Sequence, residues 1–332
     1  MLDRRFMLKS SALAGLAASA AVVSPSEAAE AAIWSKNYTA TKPGADGSKV
    51  ELAVYRKRLG APDGKRRPVL FLVHGSSASG LPTYDLQIPG RDDVSLMNVC
   101  ARWGYDVWTM DHEGYGRSSR TTGNSNIASG VEDLKAANDL VMKETGVERM
   151  HMMGESSGAL RVGAFAMARP EHAGRLVLQA FTYTGSGSGT LSKRAEQAEF
   201  YRTHNRRPRD AGMLNSIFTR DKPGTTDQDV IDAFIKAEMP FGDSVPAGTY
   251  FDMTANLPVV HPDRVLSPVL LVSGQYDGIA ALDDICNFFQ KLPNGDKQIT
   301  IVPGAAHTLV SSKQRFTFWK ILRNWLERDQ TV

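Results

Sequence analysis

The stretch Gly154-Glu155-Ser156-Ser157-Gly158 places a serine between two glycines. The apolar run Met150-His151-Met152-Met153 comes before it and the helix-forming run Ala159 to Ala168 follows. That is a G-x-S-x-G nucleophile elbow in its strand–turn–helix setting, with glycines where side chains would collide with the neighbouring strand and helix. A serine hydroxyl is a poor nucleophile unless a base takes its proton and a carboxylate orients that base. His307, in Pro303-Gly304-Ala305-Ala306-His307-Thr308, is the expected base, because it follows the last predicted strand in a loop of small residues. Of the others, His74 precedes a glycine turn and His151 lies inside a strand. His112, His172, His204 and His261 fall in loops or in an inserted segment, without a strand end in the right chain order. Asp277, in Ser273-Gly274-Gln275-Tyr276-Asp277-Gly278, is the expected acid, whereas Asp283 and Asp284 fall within the next helix. The competing readings are a solvated loop histidine for His307 and, for Asp277, a turn aspartate bonding its own backbone.

Acyl transfer also needs two N–H donors aimed at the developing oxyanion. The Ser157 N–H, in the first turn of the following helix, is one. Ser76 N–H, just after His74-Gly75, is the other, with Ser77 a close competitor. Glu155, the variable residue of the elbow, is read as a carboxylate held by its neighbours rather than as a reacting group.

These residues must be positioned by a common frame. Apolar runs at 68–73, 105–110, 149–153, 175–180, 268–272 and 298–302 read as buried strands, and 50–58 as an alternating one. Helical patterns fall at 96–103, 127–145 and 282–291, and at 314–328, where Phe316, Trp319, Leu322 and Leu326 form a stripe. Strands alternating with helices imply a mostly parallel sheet covered on both faces. In such sheets the site lies beyond the carboxyl ends of the strands, where His74, Ser156, Asp277 and His307 all fall. Residues 184–262 break the alternation and read as a cap inserted after the sixth strand. A flexible lead-in, Gly185-Ser186-Gly187-Ser188-Gly189, precedes predicted helices at 191–204, 211–218 and 226–238. Between 190 and 222 this segment carries Lys193, Arg194, Arg202, Arg206, Arg207, Arg209, Arg220 and Lys222 against Glu196, Glu199, Asp210 and Asp221. Such a run is ordinarily a solvated helical face; the sharper reading is attraction of anionic substrates.

Taken together, His74-Gly75, Asp111-x-x-Gly114-x-Gly116-x-Ser118, the elbow, Ser273-Gly274-x-x-Asp277 and Gly304-x-x-His307 resemble the α/β-hydrolase superfamily, in its order, from about 68 to 328. The resemblance implies a helical cap over a Ser-His-Asp site and no cofactor. The His-Gly-Gly-Gly run of one esterase branch is absent, so that branch is not implied.

Composition agrees with a soluble hydrolase. The 332 residues are 42% hydrophobic and 23% charged, with net charge +3, too small to argue for a nucleic-acid partner. No apolar run in the mature chain has the length of a membrane span. No phosphate-binding G-x-x-x-x-G-K-[ST], H-E-x-x-H or paired-Cys motif is present. The two cysteines, Cys100 and Cys286, are either free thiols or one bridge. Arg4-Arg5-Phe6-Met7-Leu8-Lys9, an Ala-rich run from Ser10 to Val23 and Ser26-Glu27-Ala28 read as a signal peptide over 1–28. It resembles a twin-arginine export signal, an ordinary secretory signal being the alternative. The expectation is a hydrolase domain over 29–332, handed to the export machinery and periplasmic or secreted. It would act on a small-molecule carboxylic ester through an acyl-enzyme. An amidase or lactonase using the same triad is the runner-up, and a catalytically silent binding protein on this fold is the alternative of another class.

Overall fold

The computed structural model describes residues 32–328, so the signal-peptide reading of 1–28 lies outside the described residues. Among the described residues, eight strands join in one sheet: β1 (Ile33–Pro43), β2 (Lys49–Leu59), β3 (Val69–Val73), β4 (Asp106–Met110), β5 (Met150–Glu155), β6 (Ala173–Gln179), β9 (Val269–Gly274) and β10 (Lys297–Val302), with β7 and β8 elsewhere. Their order is β1-β2-β4-β3-β5-β6-β9-β10. The β1–β2 and β2–β4 pairs are antiparallel and the rest parallel. β1 was not foreseen. Its Ser35, Lys36, Asn37, Thr39 and Thr41 make it too polar to read as a core strand, and it exists because β2 supplies an eleven-residue antiparallel partner.

The central strands are buried on both faces, which is why they are continuously apolar. Successive side chains of β3 divide between two cores. Val69, Phe71 and Val73 join Leu134 of α3 (Ile127–Thr145) and Phe165 of α4 (Ser157–Ala168). Leu70 and Leu72 join Met97 of α2 (Leu96–Arg102) and Phe318, Leu322 and Trp325 of α11 (Arg315–Leu326). Phe316, placed on the apolar stripe of α11 by spacing, is 49% exposed, and Phe318 takes the core position instead. Cys100 and Cys286 are both free thiols.

Between β6 and β9 the chain leaves the sheet. It forms α5 (Gly189–Ala195), α6 (Ala198–Thr203), α7 (Ala211–Thr219), α8 (Gln228–Glu238) and α9 (Gly248–Phe251). The single helix expected over 191–204 is broken at Glu196-Gln197 into α5 and α6. A two-stranded antiparallel sheet of β7 (Arg206–Pro208) and β8 (Ser244–Pro246) was not anticipated, three-residue strands being too short to leave a pattern. The lead-in, expected to be flexible, is instead fastened. The carboxylate of Asp284 accepts the backbone N–H groups of Tyr183, Thr184 and Gly185, and Ser188 Oγ donates to Gly278 O. Asp284, rejected above as a triad acid, thus anchors one root of the insertion.

β1 brings a charge into the interior. Lys42 Nζ lies 2.6 Å from Asp133 Oδ1 and 2.8 Å from Glu113 Oε2, all three side chains being nearly inaccessible. Removing one member of a buried ionic group leaves the others uncompensated, which ordinarily costs about 3–5 kcal/mol. Lys42→Met is expected to lower the unfolding free energy by about 3 kcal/mol or more, read as a fall in the urea midpoint.

Candidate active site

The elbow owes its shape to two close approaches. A Cβ on Gly158 would lie 2.1 Å from Val73 O, at the end of β3. One on Gly154 would lie 2.2 Å from Gly158 O and 2.5 Å from Ala159 N, in the first turn of α4. No real Cβ tolerates such distances, so both positions need glycine. Between them Ser156 takes φ +57° and ψ −121°, a strained backbone for a residue with a side chain, of the kind that surrounding structure must enforce. The strain lifts Ser156 out of the strand line and onto the N-terminus of α4.

His307 and Asp277 come from the loops after β10 and β9. Nδ1 of His307 lies 2.9 Å from Asp277 Oδ1, with both side chains nearly buried. The same Oδ1 accepts the N–H groups of Ile279 at 2.8 Å and Ala280 at 3.1 Å. The turn-aspartate reading and the triad-acid reading of Asp277 are therefore compatible, one oxygen doing both. Burial alone would push the Asp277 carboxyl up, but the His307 imidazole and the two backbone donors hold it below its ordinary value. The acid therefore stays ionised, as an orienter of imidazole must. Ser156 and His307 line one cavity of about 40 Å³, together with Gly75, Ser76, Ser77 and Glu155.

The two serines expected to donate backbone N–H groups are tied to each other. Ser76 Oγ donates to Ser157 Oγ at 2.8 Å, and Thr249 Oγ1 of α9 donates to Ser76 Oγ at 2.9 Å. Tyr115 Oη donates to Ser76 O at 2.9 Å, and Ser77 Oγ shares a hydrogen bond of 2.7 Å with Tyr250 Oη. Spacing gave no sign of this brace, because Thr249 and Tyr250 lie far along the chain. Behind it, His74 keeps Nδ1 2.8 Å from Gly75 O and accepts His112 N–H at Nε2, while His112 Nδ1 lies 2.9 Å from Asp133 Oδ2. Burial pushes both imidazoles well below their ordinary value, so they stand neutral as loop scaffolding.

Two acidic residues depart from what sequence reasoning expected or found. Glu155 has no hydrogen-bond partner for its carboxyl among the described residues, although neighbours were expected to hold it. Burial, reinforced by Asp277 and opposed by His307 and Arg220, pushes it up to about 7. Asp221, beyond α7, was missed as a neighbour of the site. It, Asp277 and His307 each offer a ligand atom within 4.8 Å of the others. The Asp277–His307 hydrogen bond already uses two of those groups, so the cluster reads as a hydrogen-bonded His–Asp pair with a cap carboxylate beside it rather than as a metal centre.

With this geometry in place, comparison with known proteins is informative. Residues 94–314 match the family model described as serine aminopeptidase, S33. The chain belongs to that family. It is therefore a hydrolase on the α/β-hydrolase fold. A 2-hydroxy-6-oxononadienedioate/2-hydroxy-6-oxononatrienedioate hydrolase of Paraburkholderia phymatum is 31% identical over 150 residues, 43% of each chain. One of the same name from Burkholderia vietnamiensis is 24% identical over 266 residues, 71% of this chain and 80% of that one. The first match thus spans less than half of the relative. Among solved structures, a thermophilic esterase from Thermogutta terrifontis superposes with a TM-score of 0.61 at 18% identity, over 88% of this chain and 98% of that one. A 2-hydroxy-6-oxo-6-phenylhexa-2,4-dienoate hydrolase from Rhodococcus gives 0.59 at 18%, over 89% and 100%. At such identity the likeness is one of fold.

The raised pKa of Glu155 has a consequence for stability. An acid whose folded pKa stands above its ordinary 4.5 carries no penalty while protonated in both states, and a growing one as pH climbs through about 7. Between pH 5 and 8 the wild type is expected to lose up to about 3 kcal/mol of unfolding free energy relative to Glu155→Gln, measured by denaturant titration at each pH.

Proposed function

We propose that this hydrolase cleaves carboxylic esters of small or medium size through an acyl-enzyme on Ser156. The observation that carries the proposal is that the elbow serine, Ser76 and His307 line one cavity, with Asp277 hydrogen-bonded to His307 and Ser157 to Ser76. Ser156 Oγ attacks the ester carbonyl carbon while His307 takes its proton. The oxyanion settles against the N–H groups of Ser76 and Ser157. The C–O bond breaks and the leaving alkoxide takes the proton from the imidazolium. A water deprotonated by His307 then attacks the acyl carbon, and the acid departs as Ser156 regains its proton. Asp277 holds the imidazole tautomer throughout. No step calls on a cofactor, and the substrate is a small molecule. Export by a twin-arginine signal over 1–28, to the periplasm or beyond, belongs to the same proposal and is tested by fractionating cells that express the full chain.

The named relatives favour a second reading. A 2-hydroxy-6-oxononadienedioate holds a ketone and carboxylates but no ester, so its hydrolysis breaks a carbon–carbon bond. The same nucleophile and oxyanion donors serve that reaction if the leaving carbon is first made acidic enough to depart.

Ser156→Ala is expected to lower kcat/KM for p-nitrophenyl butyrate by about 10⁴-fold or more, and to abolish labelling by a fluorophosphonate probe. Full activity in that variant overturns the assignment. Turnover of a 6-oxo-dienoate without any ester turnover selects the second reading.

A further inference from the structure

The eight basic residues of the insertion do not act alike. Arg202 pairs with Glu199 at 2.6 Å on the surface. Arg206 donates to Ser244 O and Gly114 O, holding the small sheet to the loop after β4. Arg209 is buried against Glu238 and also donates to Gly242 O at 2.7 Å. Lys222 lies over the ring of Tyr276. The other four, Lys193, Arg194, Arg207 and Arg220, line an outer chamber of about 340 Å³. That chamber shares the walls Ser77, Arg194, Ile217 and Arg220 with the cavity at Ser156.

Two of these cations have no acceptor among the described residues. Neither Arg194 nor Arg207 makes a hydrogen bond or ion pair among the described residues. Both guanidinium groups stand over the ring of Tyr250, at 5.3 Å and 4.5 Å from its centroid. Arg220 meets Asp221 through Nε at only 3.3 Å, and its Nη2 is buried without any partner. Burial, with Arg220 and Arg207 nearby, pushes Arg194 down to about 10, as expected of a guanidinium missing its counter-ion. The acidic groups that face them are Asp221 and Glu155, the latter only part-ionised at neutral pH. A guanidinium offers five donors in a planar fork, and those of the half-buried Arg194 and Arg207 have no partner among the described residues. The Tyr250 ring holds both forks within 5.3 Å of its centroid, and its own hydroxyl is tied to Ser77 of the oxyanion loop.

We propose that the outer chamber is a carboxylate subsite, and that the substrate carries a carboxylate at the end remote from the bond cleaved at Ser156, gripped by Arg194 and Arg207. Resting on the Ser156 reading for the position of that bond, this assigns the substrate class as half-esters, or their ketone counterparts, of dicarboxylic acids. Arginine forks match carboxylate geometry, and a bidentate charge-assisted pair is stronger than a hydrogen bond between neutral groups.

The test uses Ser156→Ala, which binds without turnover. Calorimetry should show glutarate, adipate or pimelate binding at least tenfold more tightly than the monocarboxylate of equal length, with the preference shrinking as salt rises. Arg207→Gln and Arg194→Gln, each placed on the Ser156→Ala background, should remove the preference, and Arg207→Lys should restore part of it. Equal affinity for mono- and dicarboxylates overturns the proposal, as does a preference that survives in Arg207→Gln; a phosphonate-terminated acid that outbinds every dicarboxylate overturns the carboxylate assignment. Should Arg194→Gln fail to fold by circular dichroism, Arg207→Gln and Arg207→Lys decide alone. In parallel, the wild type should hydrolyse p-nitrophenyl hemiglutarate with a higher kcat/KM than p-nitrophenyl butyrate, and that ratio should fall at least tenfold in Arg207→Gln. Dicarboxylate binding without hydrolysis of either ester leaves the subsite standing and removes the ester reading. Hydrolysis of both esters at equal rates, with no dicarboxylate preference, does the reverse.

Discussion

The Gly158 backbone runs against the carbonyl oxygen of Val73, and the whole site hangs on that contact. It seats the first turn of α4 on the end of β3 and forces the chain through the left-handed conformation at Ser156. The same seat puts Ser157 beside the loop that follows His74, so the proposed nucleophile and both proposed oxyanion donors are set by one packing event. Because β3 lies between β4 and β5 in the sheet, this also happens where the chain order reverses, the place at which open α/β sheets leave a crevice.

A layer of buried polar groups holds that crevice in shape. Lys42 reaches from the edge strand to Asp133 and Glu113; Asp133 reaches His112, whose N–H meets His74, and His74 meets the backbone of Gly75. Tyr115 and Thr249 then hold Ser76 from two sides. Buried polar chains of this kind specify one arrangement more sharply than apolar packing does, and here one member, His112 Nε2, is buried without a hydrogen-bond partner among the described residues. The donor loop is thus rigid for reasons rooted more than one strand away. The insertion is bound into the same layer through Thr249 and Tyr250, so the wall of the pocket and the loop of Ser76 and Ser77 are tied together.

The insertion also sorts its own charges. Where an arginine finds a carboxylate or carbonyl of the chain, as Arg202, Arg206 and Arg209 do, it serves the fold. Where it faces the chambers with an aromatic ring beneath it and no acceptor, as Arg194 and Arg207 do, its donors are left for a ligand. Glu155, uncharged for much of the acidic range, leaves the inner cavity less negative than its composition suggests.

The mostly parallel sheet, the ends of its central strands and the residues their loops bring together were legible in the amino-acid sequence. Continuous apolar runs mark strands buried on both faces, and a serine between glycines, followed in order by an aspartate and a histidine at later strand ends, marks nucleophilic catalysis. These signals are local, set by period and by residue type. β1, the break between α5 and α6, the pairing of β7 with β8 and the exposure of Phe316 were not legible, because each depends on a partner distant in the chain rather than on its own pattern. The same holds for the function of individual charges. Lys42, Glu155, Asp221 and the eight basic residues of the insertion carry no local mark of whether they meet a partner. Sequence alone determined the frame and the reaction class it is suited to. The tertiary structure decided which arginines are spent on the fold and which remain to meet a substrate, since burial and pairing are properties of the folded neighbourhood and not of the residue.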